Sequence, residues 1–299
     1  MPEQGASFVP AASLLTFDQI SQFLEAVVSL GIDKVRLTGG EPLLRPRLPD
    51  LVARIAEMPQ VRDLALTTNG VLLERWAKPL FEAGLRRLNV HLDTLDRDRF
   101  LKLTRRDELG RVLAGLDAAQ AAGFRKIKLN AVAMKGISEP DVPALVEFGR
   151  RRNMEVRFIE FMPLDGQELW NMDRVLTASD MIGLLSKTFG PLHPVADADP
   201  RAPATEYRFA DGYTLGFIAS VSRPFCMNCN RLRLTADGKL RNCLFAREET
   251  DIRHLLQPAA EPDAIRDAVR ESVRQKWIGH EIQQVSFIAP ARPMYAIGG

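Results

Sequence analysis

Residues 15–42 read LTFDQISQFLEAVVSLGIDKVRLTGGEP, and this stretch contains one copy of the unit that decides the fold. Thr16 and Gln19 have the spacing of a capping box, and the apolar residues that follow recur at helical spacing until Gly31. Residues 34–38 (KVRLT) then predict a short β-strand. A helix followed by a strand is the repeating unit of a parallel sheet with crossover helices.

The same unit recurs four more times before residue 165. Further strands are predicted over residues 64–68, 88–93, 126–133 and 156–161. The helices before them are predicted near residues 48–58, near 75–83, in a stretch ending at 122, and near 140–152. Five such units predict an α/β fold of the barrel or half-barrel type, in which functional side chains collect where strands end. The series starts with a helix, whereas a βα barrel normally starts with a strand.

After residue 165 the pattern changes. A helix is predicted over residues 177–187, and the Pro- and Asp-rich stretch 193–203 is typical of a linker or exposed loop. Short strands near 206–209 and 213–218, a cysteine-containing segment and a helix near 263–277 follow. We therefore predict two domains, a larger one over residues 1–165 and a smaller one over residues 166–299.

The composition limits the class of protein. With 299 residues, 46% hydrophobic and 26% charged, the chain can bury a sizeable core. The net charge of +2 argues against a nucleic-acid partner, and the lack of an 18-residue apolar run argues against a membrane partner. The first residues, MPEQGASFVPAAS, do not have the pattern of a secretory signal, so we expect a cytoplasmic protein. The candidate assembly is a homodimer.

All three cysteines lie in residues 225–245, FCMNCNRLRLTADGKLRNCLF. Cys226, Cys229 and Cys243 have the spacing Cys-x2-Cys-x13-Cys, which suits the binding of one metal centre. Three thiolates fit a [4Fe–4S] cluster with one open iron, whereas structural zinc usually takes four ligands. Spacing alone leaves these two alternatives equally open, and a redox Cys-x-x-Cys would leave the third thiol without a role. The interleaved positive charge of Arg231, Arg233 and Arg241 suggests that the centre faces an anionic ligand.

Charged residues also lie inside predicted strands. Arg36, Lys128 and Arg157 could line a polar cavity, or they could extend outward into solvent. Together with Arg231 and Arg233 they could form a phosphate-binding wall, because guanidinium groups match phosphate with paired hydrogen bonds.

Several further positions allow both a functional and an ordinary structural interpretation. Gly39, Gly40 and Glu41 at the end of a strand could meet a ligand, although taken alone they indicate an ordinary turn. His91 and Met162 are, by default, a satisfied polar residue and a core filler. Gly298 and Gly299 are typical of a frayed end, but a tail without side chains could also enter a cleft.

Taken together, the motifs resemble the GTP 3′,8-cyclase family of molybdenum cofactor biosynthesis, within the radical S-adenosylmethionine superfamily. The similarity extends over the whole chain. It is carried by LTGGEPLLR (37–45), LTTNG (66–70), NVHLDTLD (89–96), KLNAVAMKG (128–136), EVRFIEFMPLDG (155–166), the cysteine segment and the final Gly-Gly.

The resemblance implies an incomplete (β/α)6 barrel with a smaller C-terminal iron–sulfur module. It implies that a 5′-deoxyadenosyl radical from S-adenosylmethionine takes a hydrogen from the ribose of GTP, after which that ribose carbon attacks C8 of guanine. The product is (8S)-3′,8-cyclo-7,8-dihydroguanosine 5′-triphosphate.

Site residues follow from the same resemblance. Contacts to S-adenosylmethionine are implied for Gly39, Gly40, Glu41, His91 and Met162. Contacts to GTP are implied for Arg36, Thr67, Lys128, Arg157, Arg231 and Arg233. A [4Fe–4S] cluster is implied for Cys226, Cys229 and Cys243, and a catalytic role for Arg231, Arg233, Gly298 and Gly299.

Two departures from the family pattern qualify these expectations. The family holds a first cluster with a Cys-x3-Cys-x2-Cys motif, often followed by Met-Pro, whereas this sequence opens with Met1-Pro2. We therefore expect a chain that begins after the first strand and is unable, as written, to start the reaction. His91 stands where the family usually has Ser. The alternatives are a non-catalytic GTP-binding or iron–sulfur remnant, and a peptide-modifying radical enzyme with an auxiliary cluster.

Overall fold

The computed structural model describes residues 10–164, 170–196, 199, 201–276, 282, 287, 290 and 292–297. Its main sheet has eight strands in the order β1-β2-β3-β4-β5-β8-β7-β6. The strands are β1 (Lys34–Leu37), β2 (Asp63–Thr68), β3 (Arg87–His91), β4 (Lys126–Ala133), β5 (Glu155–Glu160), β6 (His193–Pro194), β7 (Thr205–Arg208) and β8 (Thr214–Ile218). Strands β1 to β5 and β8 run parallel, while β7 and β6 add an antiparallel extension.

Helices connect the parallel strands as the sequence predicts. They are α1 (Phe17–Val28), α2 (Leu48–Ala56), α3 (Leu73–Glu82), α4 (Arg97–Thr104), α5 (Leu109–Ala122), α6 (Asp141–Arg152), α7 (Ala178–Phe189), α8 (Pro262–Arg274) and α9 (Met294–Ile297). The predicted helix–strand order is confirmed, and the stretch ending at residue 122 is resolved into the two helices α4 and α5. The capping box is also confirmed, because Gln19 N donates to Thr16 Oγ1 over 3.2 Å and Thr16 N donates to Gln19 Oε1 over 2.9 Å.

The apolar core lies between the main sheet and its helices. One face of the sheet carries the fully buried side chains of Leu66, Leu88, Leu129 and Val156, one from each of the strands β2 to β5. Since successive side chains of a strand point to opposite faces, the alternate positions form a second face of the same sheet. That second face carries the polar and charged side chains of the candidate site.

The segment after residue 165 does not build a separate main sheet. Strand β8 pairs in parallel with β5, and β7 and β6 extend the same sheet beyond it. The stretch 193–203, predicted as a linker or loop, contributes the two-residue strand β6 where His193 and Pro194 pair with β7. The sequence pattern did not predict this short strand, because its partners Arg208 and Tyr207 lie on β7 and not among its neighbours in sequence.

A small antiparallel sheet supports the cysteine segment. It consists of β9 (Arg233–Leu234), β10 (Lys239–Arg241) and β11 (Thr250–Asp251), with β10 in the middle. The predicted helix over 263–277 is observed as α8, and residue 277 lies outside the described residues. No helix in the described part of the chain is long and apolar enough to cross a membrane.

The C-terminal residues return to the end of β5. Met294 N donates to the carbonyl of Leu164 over 3.2 Å, and Arg292 pairs with Asp237 and Glu249. The short helix α9 begins directly after Pro293. A proline is compatible with a helix that begins just after it, because its missing N–H would have no partner within the helix.

Candidate active site

Strand register places four of the six predicted GTP-contacting residues on one face of the main sheet. Arg36 lies opposite Ala65, two residues before Thr67, and Asn89 lies between Thr67 and Lys128. Arg157 lies opposite Asn130, two residues after Lys128 on β4. Because side chains alternate along a strand, Arg36, Thr67, Lys128 and Arg157 all project from the same side of the sheet. We call this side the polar face.

Positive charge is concentrated on the polar face. Partial desolvation and the charges of Arg87, Arg157 and Arg231 lower the pKa of Arg36 to about 10, although Arg36 remains accessible to solvent. Asp63 opposes this shift but is itself paired with Arg87. Arg36 stays protonated at neutral pH, so its charge is held in a repulsive environment that an anionic ligand would relieve.

Carboxylates hold two of these cations in place. Lys128 Nζ lies 2.6 Å from Glu155 Oε2, and Arg157 Nε donates to Glu155 Oε1. Arg157 Nη2 also reaches Glu206 on β7 over 3.1 Å. Burial and the charge of Arg157 lower the pKa of Lys128, whereas Glu155 opposes that shift. Lys128 and Arg157 are therefore part of one connected network with Glu155 and Glu206 rather than outward-pointing surface charges.

Glu41 links the ends of β1 and β2. Its carboxylate accepts hydrogen bonds from Leu43 N over 2.9 Å, from Thr68 Oγ1 over 2.8 Å and from Asn69 N over 2.8 Å. Burial raises the pKa of Glu41, and these three hydrogen bonds counteract the rise. Glu41 is therefore a hydrogen-bonded carboxylate that ties its turn to the end of β2. Gly39 has open space where a side chain would begin, which keeps the backbone accessible at this turn.

His91 forms a hydrogen-bonded pair at the end of β3. Its Nε2 lies 2.8 Å from Asp93 Oδ2, and Asp93 Oδ1 accepts a hydrogen bond from Val132 N over 2.7 Å. The charge of Asp93 raises the pKa of His91, against the opposing effect of desolvation. This ring is thus a satisfied polar group, the ordinary interpretation of the position, and it lies at the same strand edge as Glu41.

The cysteine segment lies on a short turn and a hairpin. Cys226 and Cys229 flank a 3₁₀ turn, in which Cys229 N donates to the carbonyl of Cys226 over 3.1 Å. Cys243 follows β10, and its Sγ accepts a hydrogen bond from Phe245 N over 3.4 Å. Cys243 packs in a small apolar cluster that also includes Met162. The end of β5 and the cysteine segment are therefore in contact.

Arg231 connects this segment to the polar face. Its Nε and Nη2 donate to Cys229 Sγ over 3.4 and 3.3 Å, and its guanidinium carbon lies 4.8 Å from the centre of the Phe225 ring. Burial alone would raise the pKa of Cys229, but the hydrogen bonds and charge of Arg231 lower it to about 7. The charge of Arg231 also lowers the pKa of Arg36, which places the two predicted GTP ligands within electrostatic range.

Arg233 and Arg241 have different environments. Burial and the charge of Arg231 lower the pKa of Arg233 to about 10, while the thiols of Cys243 and Cys229 oppose that shift. Arg241 is buried and bonds Glu249 over 2.6 Å and the carbonyl of Ala246 over 2.7 Å. The idea that Arg241 contributes charge for an anionic ligand is therefore wrong, because Glu249 neutralises it inside the hairpin.

The thiols fit an iron–sulfur cluster by the chemistry of their donor set. They are half-buried, and N–H donors lie beside two of the sulfurs, an arrangement that tunes clusters in proteins. Among the described residues, however, no three Cys, His, Asp or Glu side chains are grouped tightly enough to hold a metal ion.

Some polar residues of this region were missed by sequence reasoning. Asp93, Asn89, Glu155 and Glu206 supply partners for the predicted ligands, and Asn89 Nδ2 donates to Thr67 Oγ1 over 3.3 Å. Their sequence signal was the alternation of polar residues inside strands. Gly298 and Gly299 lie outside the described residues.

Comparison with known proteins places the chain among relatives along its whole length. Residues 4–149 match the family model of the radical SAM superfamily, and residues 154–282 match that of Molybdenum Cofactor Synthesis C. A GTP 3′,8-cyclase of Rhodopirellula baltica is 45% identical over 303 residues, which cover all of this chain and 84% of the relative. The GTP 3′,8-cyclase of Streptomyces coelicolor is 44% identical over all of this chain and 88% of the relative. GTP 3′,8-cyclase 2 of Mycobacterium tuberculosis is 46% identical over all of this chain and 84% of the relative.

Because the matches to these three relatives cover the whole chain, they include the strand ends, the polar face and the cysteine segment. With identities of 44–46% over its full length, the chain belongs to the GTP 3′,8-cyclase family of the radical SAM superfamily.

Proposed function

We propose that this protein is an enzyme of molybdenum cofactor biosynthesis that acts on GTP, in the reaction for which its relatives are named. The product would be (8S)-3′,8-cyclo-7,8-dihydroguanosine 5′-triphosphate. The observation that carries the proposal is the placement of Arg36, Lys128 and Arg157 on one face of the sheet, with the charge of Arg231 within electrostatic range of Arg36. Cations held close to each other in a partly desolvated site favour a multiply charged anion such as a triphosphate.

The residues divide into three groups. GTP would contact Arg36, Thr67, Lys128, Arg157, Arg231 and Arg233. S-adenosylmethionine would bind at the strand edge near Gly39, Gly40, Glu41, His91 and Met162. S-adenosylmethionine and the family's first cluster, whose Cys-x3-Cys-x2-Cys motif is not among these 299 residues, would supply the radical chemistry, while the protein orients the nucleotide and shields it.

Cys226, Cys229 and Cys243 would hold one [4Fe–4S] cluster next to the nucleotide. These are the only cysteines among the 299 residues, so the sequence supplies thiols for one cluster. Arg231 and Arg233 would lie between that cluster and GTP, since Arg231 contacts Cys229 and its charge reaches Arg36. This arrangement supports their proposed catalytic role.

We further propose that the six parallel strands form a partial barrel around the polar face, with the iron–sulfur module at its open end. We likewise propose that the two domains divide at residue 165, that Gly298 and Gly299 have a catalytic role, and that the protein forms a homodimer. The contact between Met294 and Leu164 supports a tail that ends near β5.

Isothermal titration of GTP tests the proposal without requiring turnover. Replacing Arg36 by Ala should weaken GTP binding by about 1.5–3 kcal/mol, the usual range for a hydrogen bond to a charged group. The matched control is Lys34→Ala, because Lys34 lies on the same strand and face but forms an exposed ion pair with Asp199. That control should change binding by less than about 0.5 kcal/mol. Equal losses in the two variants would count against a nucleotide site on the polar face.

Iron analysis tests the metal centre separately. After anaerobic reconstitution, the 299-residue chain should hold about four irons and four sulfides, as one cluster requires. Cys226→Ala should remove the cluster and its absorption. Bound zinc in place of iron, or twice the iron, would contradict this assignment.

A further inference from the structure

Glu155 is the only residue found, among those the structure describes, that pairs with both Lys128 and Arg157 on the polar face. Each oxygen of its carboxylate takes one cation: Oε2 lies 2.6 Å from Lys128 Nζ, and Oε1 accepts from Arg157 Nε. The arrangement crosses two strands, because Lys128 of β4 lies opposite Glu155 of β5 in the sheet register. The carboxylate therefore sets the distance between two cations from neighbouring strands.

The three side chains are largely shielded from water. The exposed fractions are 15% for the Lys128 side chain, 9% for Arg157 and 22% for Glu155. Ion pairs in such an environment restrict side-chain motion more than exposed pairs do, because water competes less for the same hydrogen bonds. Burial and Arg157 lower the pKa of Lys128, and Glu155 counteracts this effect, which favours the charged ammonium.

Arg157 is fixed from its other side by the β7–β8 hairpin. Glu206 of β7 accepts from Arg157 Nη2 over 3.1 Å. Gly216 of β8 lies opposite Arg157, and a side chain there would begin 3.3 Å from Arg157 Cγ and 3.0 Å from Ala204 Cβ. The missing side chain leaves the arginine room to lie along the sheet toward Glu155.

We propose that Glu155 is a positioning residue for GTP binding, which holds Lys128 and Arg157 side by side so that they meet the anionic part of the nucleotide as a preformed pair. This inference rests on the proposed function. A preorganised pair costs less conformational entropy on binding than two independent flexible cations do. Glu155 itself carries the wrong charge to contact phosphate, so its effect is exerted through its two partners.

The direction in which one substitution changes the affinity for GTP separates positioning from simple electrostatics. Glu155→Gln removes a negative charge from the site, and charge alone predicts tighter binding of GTP. Positioning predicts weaker binding, because a neutral amide cannot hold two cations with two acceptor oxygens. We expect the dissociation constant for GTP, measured by isothermal titration, to rise about fivefold or more. Glu155→Asp keeps the charge but is shorter by one methylene, and we expect it to weaken binding as well.

The matched control is Glu25→Gln, the same chemical change at an exposed position of α1. It should leave the dissociation constant for GTP unchanged. A double-substitution cycle adds a readout that general structural damage would not produce. Once Lys128 is replaced by Gln, the further replacement Glu155→Gln should weaken binding much less than it does in the unsubstituted chain.

These experiments distinguish a failure of the positioning role from a failure of the proposed function. If the unsubstituted chain does not bind GTP, the proposed function itself is wrong. If it binds GTP and Glu155→Gln binds equally or more tightly, the positioning role is wrong. If Glu155→Gln does not fold, Glu155→Asp decides, and unchanged GTP binding by that variant overturns the inference. Strictly additive effects of Lys128→Gln and Glu155→Gln would also overturn it.

Discussion

Polar side chains at the strand ends form hydrogen bonds with other groups of the protein. Glu41 accepts three hydrogen bonds from the β2 end and from its own turn, and His91 pairs with Asp93. Such contacts fix the orientation of each group, because a side chain with satisfied hydrogen bonds has few alternative rotamers. Polar residues at this edge therefore serve the fold as well as the site.

The His91–Asp93 pair predicts a specific dependence of stability on pH. The pKa of His91 is raised above 6.5, chiefly by the charge of Asp93. The folded state thus binds this proton more tightly than the unfolded state does, so the stabilisation is full below about pH 6.5 and is lost as the pH rises through the folded value. Urea unfolding of the protein and of His91→Ser, followed from pH 5.5 to 8.5, measures this contribution as the difference between the two curves.

An independent check uses the titration of the His91 ring by NMR. Asp93→Asn should lower the pKa of His91, because it removes the charge and keeps an oxygen for Val132 N. A His91 ring that titrates at or below its ordinary value in the unsubstituted protein would refute the assignment. The side chain is 42% exposed, so solvent screening makes the effect on stability modest.

At the level of elements, helices α3 and α5 pack directly against each other. Gly115 of α5 faces the start of α3, where a Cβ would lie 2.7 Å from the carbonyl oxygen of Gly70 and 3.0 Å from Leu73 Cβ. The absence of a side chain allows the two backbones to approach. Gly110 lies five residues earlier on the same helix, and a Cβ there would meet no atom within 4 Å.

These two glycines make a matched pair of substitutions. Gly115→Ala should lower the free energy of unfolding by about 1–3 kcal/mol, because an added methyl forces α5 away from α3. Gly110→Ala should be neutral or stabilise by about 0.4–1 kcal/mol, because it reduces the entropy of the unfolded chain. Denaturant unfolding of both variants measures the difference. Similar stabilities would mean that the α3–α5 contact is looser than the structure indicates.

At the level of the whole molecule, Glu160 joins the two halves of the chain. It is fully buried at the end of β5 and accepts hydrogen bonds from Ala178 N over 2.9 Å, Val221 N over 2.9 Å and Ser222 N over 2.7 Å. These donors belong to the start of α7 and to the segment after β8. One carboxylate therefore connects the parallel sheet to the chain that leads into the cysteine segment.

Replacement of Glu160 by Ala should be strongly destabilising. Two buried N–H groups, of Ala178 and Val221, and the partly buried N–H of Ser222 would lose this acceptor. Each unsatisfied buried donor costs about 1–3 kcal/mol, so we expect a loss of at least about 2 kcal/mol in the free energy of unfolding. Glu139→Ala is the control, since Glu139 accepts one exposed hydrogen bond from Gly136 N over 2.7 Å. Its loss should stay below about 1 kcal/mol. A comparable effect of the two substitutions in urea unfolding would disprove the linking role.

Local sequence determined the elements of this protein. The capping box at Thr16, the apolar periodicity of α1 and the alternation in β4 depend on neighbours within a few residues, so a linear pattern contains them. The cysteine spacing and the charged residues within strands likewise indicated a thiol site and an anion site before any contact was known. Family resemblance then connected these residues to GTP and S-adenosylmethionine.

Only the tertiary structure decided which of these groups meet. The pairing of β8 with β5, the sharing of Glu155 by Lys128 and Arg157, and the burial of Arg241 against Glu249 all depend on residues from different elements. The charge of Arg231 reaches Arg36 although the two residues are far apart in sequence. Periodicity reports the face on which a side chain lies, but its partner is chosen by strand order and packing, which the linear pattern does not encode.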